Sequence, residues 1–89
     1  MIKYLDFKNI NNKNQLFDYI NKVFQFDNYC TNLDALYDEL TSITFELNIV
    51  IKNIELLLSQ IGNYCNVLKQ VFIDCEEECE NIHILYEYN

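Results

Sequence analysis

The chain has 89 residues, with 14 carboxylates against six lysines and no arginine, for a formal net charge of −8. A chain of this length buries only about 60 to 65 per cent of the surface its unfolded form exposes, so it reads as one domain over 1–89 with a single modest core, which its 51% apolar and 15% aromatic residues can fill despite the charge. The shortage of cations excludes direct binding to nucleic acid or an anionic membrane, both of which need lysines and arginines to displace counterions from phosphates.

In chain order, Ile2 to Phe7 is rich in strand-favouring residues and reads as a first strand, with Ile2 and Tyr4 on one side and Lys3 and Leu5 on the other. Leu16, Ile20, Val23 and Phe24 then recur at helical spacing, which predicts an amphipathic helix over Gln15 to Phe24, capped by an asparagine of the polar stretch before it. After a loop over Gln25 to Cys30, Thr31 stands three residues before Asp34 as a capping box, and Leu33, Leu36, Leu40 and Ile43 mark the buried stripe of a second helix. Phe45 to Lys52 ends in the continuous run Ile49, Val50, Ile51, as expected of a central strand covered on both faces. Asn53 can cap a short third helix that Gly62, the only glycine, ends in a left-handed conformation. A fourth helix runs from near Tyr64 to near Glu80 on the stripe Leu68, Val71, Phe72, Cys75 and Cys79, and Ile82 to Tyr86 forms the last strand. Strands separated by helices favour crossover connections, so the predicted architecture is α/β, with a three-stranded parallel sheet packed by four helices.

No apolar run reaches the roughly 18 residues of a membrane span, and the opening MIKYLDFKNI lacks the pattern of a secretory signal, so the expected location is the cytoplasm. Cys30, Cys65, Cys75 and Cys79 are then expected as reduced thiols that behave as small apolar residues.

Two acidic features stand out. In NYCTNLDALYDELTS, Asp34 and Asp38 are one helical turn apart on one face, roughly 5 to 6 Å from each other, with Tyr37 beside them. Asp34 sits near the helix start, where the macrodipole favours it and a solvated acidic face explains it; Asp38 lies beyond that help, where aspartate is a poor helix former, which points to a functional use. The second feature is Asp74, Glu76, Glu77, Glu78 and Glu80 near a helix C-terminus, where negative charge opposes the dipole and suggests a field directed at something cationic. The plainer reading, an exposed end that confers solubility, suits Glu76, Glu77 and Glu78.

Catalytic readings fare poorly. No nucleophile elbow or phosphate loop is present, and the one histidine, His83, falls in a strand pattern away from any paired base and nucleophile. Cys75, Cys79 and His83 are spaced by fours, but Cys75 continues the core stripe and His83 lies past the helix, so no metal and no cofactor are expected.

The run NLDALYDELT, preceded by NYC and followed by ELNIVI, resembles the barstar family of intracellular ribonuclease inhibitors. That family's pattern is tyrosine, tyrosine, glycine, any residue, asparagine, leucine, aspartate, alanine, leucine, tryptophan, aspartate; this chain keeps Tyr29, Asn32, Leu33, Asp34, Ala35, Leu36 and Asp38. VLKQVF, Asp74 and NIHILYE are similar to the family's last helix and strand, so the resemblance spans nearly the whole chain. It implies a barstar-like fold and an inhibitor that presents its second helix and adjoining loop to the active site of a basic secreted or toxin-type ribonuclease. By position, Asp38 matches the aspartate that fills the phosphate pocket and Asp34 the other interface aspartate. Tyr29, Asn32 and Thr41 match contacting positions, Tyr37 replaces a tryptophan, and Asp74 replaces a glutamate that faces the enzyme. Asn28 replaces the first loop tyrosine, Cys30 and Ser42 replace glycines, and Ile43 falls where tryptophan can stand, all on the expected partner-facing surface. These departures imply a ribonuclease with a differently shaped rim or weak inhibition. They also leave room for an acidic adaptor domain of the same fold without inhibition, or for a nucleic-acid mimic aimed at another basic enzyme.

Overall fold

In the computed structural model, which describes residues 1–87, three parallel strands lie side by side in chain order: β1 (Ile2–Asp6), β2 (Leu47–Lys52) and β3 (Ile82–Glu87). The connections hold helices α1 (Lys13–Phe24), α2 (Leu33–Thr41), α3 (Leu57–Ile61, preceded by a 3-10 turn at Ile54–Leu56) and α4 (Tyr64–Glu78). This is the α/β architecture that the alternation of strand and helix patterns predicts. β2 is central, pairing Tyr4 with Val50 on one side and Val50 with Leu85 on the other.

The sheet is covered on one face only, contrary to the two-sided burial expected of β2. Leu5, Leu47, Ile49, Ile51 and Ile82 are buried under the helices, whereas Ile2, Tyr4 and Leu85 on the other face are 55%, 60% and 59% exposed. The reason is topological. Strand order follows chain order, so two right-handed crossovers advance in the same direction and leave all their helices on the same side. α1 lies against β1, α4 against β3, and α2 packs on α4. Phe7, Leu16, Ile20, Leu36, Leu40 and Phe72 fill the space between these layers.

Local chemistry sets the helix ends. Asn12 caps α1, its side chain accepting from Gln15 N at 2.9 Å, and the helix ends at Gln25 in a left-handed conformation (φ 54°). α2 is capped by Asn32, whose Oδ1 accepts from Ala35 N at 2.8 Å, and not by Thr31, which lies one residue outside; the Thr31–Asp34 capping box does not form. Asn53 takes a left-handed conformation (φ 60°) without capping the turn after it, and its side chain ties the ends of β1 and β2 by donating to Asp6 at 2.8 Å. Gly62 ends α3 with φ 63° and ψ −142°, outside the expected left-handed helical region and in one open essentially to glycine alone.

β2 begins at Leu47, two residues later than its pattern predicts, because Asn81 holds the preceding segment, donating to Ile43 O at 2.7 Å and Phe45 O at 2.9 Å. α4 ends at Glu78, and Glu76 reaches across to accept from Ile84 N at 2.6 Å on the outer edge of β3. The four cysteines are free thiols; Cys30, Cys65 and Cys75 are buried, and burial pushes the Cys75 thiol up to about 12. Cys75 lies in the core while His83 stands on the uncovered face beside Glu46, so their even spacing does not bring them together. Among the described residues, no helix is long and apolar enough to cross a membrane.

Candidate functional site

α2 turns Leu33, Leu36 and Leu40 into the core, which leaves Asp34 and Asp38 exposed on its outer side. α4 lies alongside, so Asp74 comes to the same place from a different element. Asp34, Asp38 and Asp74 line one groove of about 370 Å³, with Leu33, Tyr37 and Val71 between them. Tyr37 is half-buried; burial, then the charge of Glu78 and Asp74 with that of the nearby thiols, raises its phenol above the usual value.

Among the described residues, no ion pair is made by the carboxylates of this groove. Among the described residues the ion pairs are Lys52–Glu87 at 3.2 Å and His83–Glu46 at 2.9 Å, neither of which includes Asp34, Asp38 or Asp74. Asp74 accepts from Gln70 Nε2 at 2.8 Å, a neutral donor that orients the carboxylate and leaves its charge in place. Lys13 stacks 4.2 Å above the ring of Tyr64, whose phenol is raised by burial and then by Asp34. A groove with three carboxylates and an aromatic side chain suits a guanidinium or ammonium group.

The backbone beneath Asp38 is held firmly. Its carbonyl accepts from Ser42 Oγ at 2.7 Å and from Ser42 N at 3.2 Å, while Thr41 Oγ1 donates to Tyr37 O at 2.8 Å and lies 3.3 Å from Asp38 O. The hydroxyls of Thr41 and Ser42 therefore close the end of α2 from within. Thr41, expected as a contact, already uses its donor inside the chain.

The loop before α2 is held residue by residue. Asn28 Nδ2 donates to Glu39 Oε1 at 3.3 Å, and the Tyr29 hydroxyl donates to the Asp18 carboxylate of α1, which raises the phenol's pKa. Asn21, also on α1, brackets Cys30: its Nδ2 donates to Cys30 O and its Oδ1 accepts from Cys30 N, both at 2.8 Å, and Nδ2 also donates to Phe17 O at 2.7 Å. This corrects the expectation for Cys30 in two ways. Its side chain is fully buried and both its backbone groups are taken, so it offers a partner nothing directly. Nor does the position need a glycine, since the positive φ angles among the described residues are at Gln25, Asn53 and Gly62. Asn28, Tyr29 and Asn32 remain exposed, and Asn32 also serves as the helix cap.

The chain matches the family described as Barstar (barnase inhibitor) over residues 1–88. It belongs to the barstar family. The three parallel strands and four helices are in keeping with that membership. Barstar proteins are inhibitors and not enzymes, and their partner is a ribonuclease. No curated protein matches the chain. The barstar pattern draws attention to the loop and α2, but not to Asp18 and Asn21 of α1, which hold that loop from outside the motif, nor to the contact that Glu39 of α2 makes back to Asn28. One signal was available for Asn21: it falls one turn after Phe17, beside a buried stripe, where a polar side chain needs internal partners.

Proposed function

We propose that this barstar-family chain is a stoichiometric inhibitor of a small ribonuclease, acting as antitoxin or immunity protein by placing Asp38 and its neighbours in the enzyme's cationic active site. The observation that carries the reading is the convergence of Asp34, Asp38 and Asp74 on one groove, with none of them in an ion pair among the described residues. A ribonuclease collects positive charge to stabilise a charged transition state, so carboxylates fixed on a rigid helix can occupy the same donors while offering no scissile bond. The chain does no chemistry itself. Its net charge of −8 speeds encounter with a basic enzyme and makes that encounter sensitive to salt.

Asn28, Tyr29, Asn32 and Tyr37 complete the contact surface, with Asp74 at its far side; Cys30 and Thr41 support it from inside. The test is titration of the protein into a cleavage assay of a small barnase-like ribonuclease at low and moderate salt. Inhibition at one to one that Asp38→Ala abolishes supports the plug. Inhibition that survives this substitution would sink it. Asn28, in place of the family's first loop tyrosine, favours a second reading, an acidic adaptor that keeps the fold and binds a different basic protein; capture of a non-ribonuclease partner through Asp34 and Asp38 would establish it.

A further inference from the structure

A cavity of about 410 Å³ opens where α1 and α2 both end. Phe24 and Gln25 at the end of α1, Ser42 and Ile43 at the end of α2, and the acidic residues Asp27 and Glu39 line it. A helix C-terminus carries partial negative charge; Lys22 offsets it on α1, but the last turn of α2 holds no basic residue. Glu39 adds a half-buried carboxylate, whose hydrogen bond from Asn28 is long, at 3.3 Å, and comes from a neutral group. Its charge reaches the interior, since the buried Cys30 thiol is raised by burial and then by Glu39. Lys3 of β1 and the Met1 amine, which donates to Glu46 O, border the same cavity, yet neither Asp27 nor Glu39 is in an ion pair among the described residues. Phe24 and Phe26 stack beside these groups, with ring centroids 5.2 Å apart and planes 12° from parallel.

The cavity adjoins the surface proposed for the ribonuclease. Asn28 of the loop donates to Glu39, and Ser42 donates to the Asp38 carbonyl. Ser42 and Ile43 are also positions at which the chain departs from the barstar pattern. We propose that this cavity receives an arginine side chain of the partner ribonuclease, in addition to the cations that meet Asp38. The choice of occupant rests on the inhibitor reading above; the chemistry of the cavity does not. A guanidinium is planar and weakly hydrated, so it lies against an aromatic ring, and its fork of N–H donors matches a carboxylate. An ammonium offers a point charge and uses the aromatic pair less well. Ribonucleases share a cationic centre, so Asp38 cannot tell one from another; an arginine outside that centre can, because an enzyme without it leaves Glu39 with only its long bond from Asn28.

The test has two arms. In the first, N-acetyl-arginine amide and N-acetyl-lysine amide are titrated against the chain alone, to about 100 mM, and backbone amide shifts are followed by NMR. The expected result is a saturable response at Phe26, Asp27 and Thr44 to the arginine compound, at least about threefold weaker for the lysine compound and for Glu39→Gln. That variant keeps an acceptor for Asn28, and Asp38→Ala, outside the cavity, should leave the response intact. No saturable response there, or an equal one to lysine, overturns the proposal. In the second arm, Glu39→Gln should raise the inhibition constant for a small barnase-like ribonuclease about tenfold. Inhibition that needs Asp38 but is indifferent to Glu39→Gln overturns this proposal and leaves the plug standing. No inhibition by the unaltered chain sinks the plug, and with it the enzyme as occupant, even where the arginine compound binds.

Discussion

The side-chain amide of Asn21 forms a two-point hydrogen-bonded ring with the backbone of Cys30, donating to its carbonyl and accepting from its N–H at 2.8 Å each. A loop residue thus has the kind of partner a neighbouring strand would supply. Ordering a loop costs on the order of 1 to 2 kcal/mol per residue in backbone entropy, and a loop ordered before the encounter does not incur that cost in the complex.

Asn21→Ala leaves Cys30 N, Cys30 O and Phe17 O without this partner, and the expected loss is about 1 to 3 kcal/mol of folding stability. Denaturant unfolding reads the loss. Hydrogen exchange locates it: the Cys30 amide should exchange much faster while the amides of β2 keep their protection. Unchanged exchange at Cys30 would show that the ring is not what holds the loop.

Asp38→Ala and Glu77→Ala separate a plugged site from a diffuse field. Removing Asp38 leaves buried cations of the enzyme unpaired, at an expected cost of about 3 to 5 kcal/mol in binding. Removing Glu77, a solvated charge, costs under about 1 kcal/mol and disappears at high salt. Inhibition constants for the two variants at two salt concentrations check this, and equal losses would refute the plug.

Stability should fall on the alkaline side. The Cys75 thiol has an ordinary value of 9.0 and is pushed up to about 12 by burial, so the fold favours its protonated form. That contribution is complete below pH 9.0 and is lost as pH rises towards about 12. Tyr29, Tyr37 and Tyr64, all raised from 10.0, act in the same direction. Thermal unfolding across this range should show a declining midpoint, with a shallower decline for Cys75→Ala.

Gly62→Ala isolates backbone strain. A Cβ there meets nothing within 4 Å, so sterics with neighbours add nothing, while φ +63° remains unfavourable for any side chain. The expected cost is about 1 to 3 kcal/mol in stability, with inhibition unchanged, since Gly62 belongs to neither the loop nor α2 and does not line the acidic groove. Loss of inhibition at full folding would contradict this assignment.

Much of the fold was legible because apolar spacing and asparagine-rich boundaries agreed. Leu16 and Ile20 on α1 and Leu33, Leu36 and Leu40 on α2 are buried as their spacing requires. What escaped depends on more than one element. Ile49, Val50 and Ile51 read as a strand buried on both sides, yet Val50 faces outward because both crossovers turn the same way, a property of strand order that no single run of residues displays. Thr31 and Asn32 are both good caps, and only the reach of Asn32 to Ala35 N decides between them. At the site, Asp34 and Asp38 were visible as a helical pair, whereas the loop's attachments to Asp18, Asn21 and Glu39 join side chains 11, 9 and 11 residues from their targets.

The hydrogen bond from Ile84 N to Glu76 carries a consequence for assembly. Together with Ile82 N, which donates to Cys79 O, it occupies outward amides of β3 that an added strand would need. On the other margin, the Tyr19 hydroxyl takes the Asp6 amide of β1. Lateral growth into a ribbon is thereby obstructed at both margins. The monomer can thus accumulate without growing edge to edge into an extended sheet.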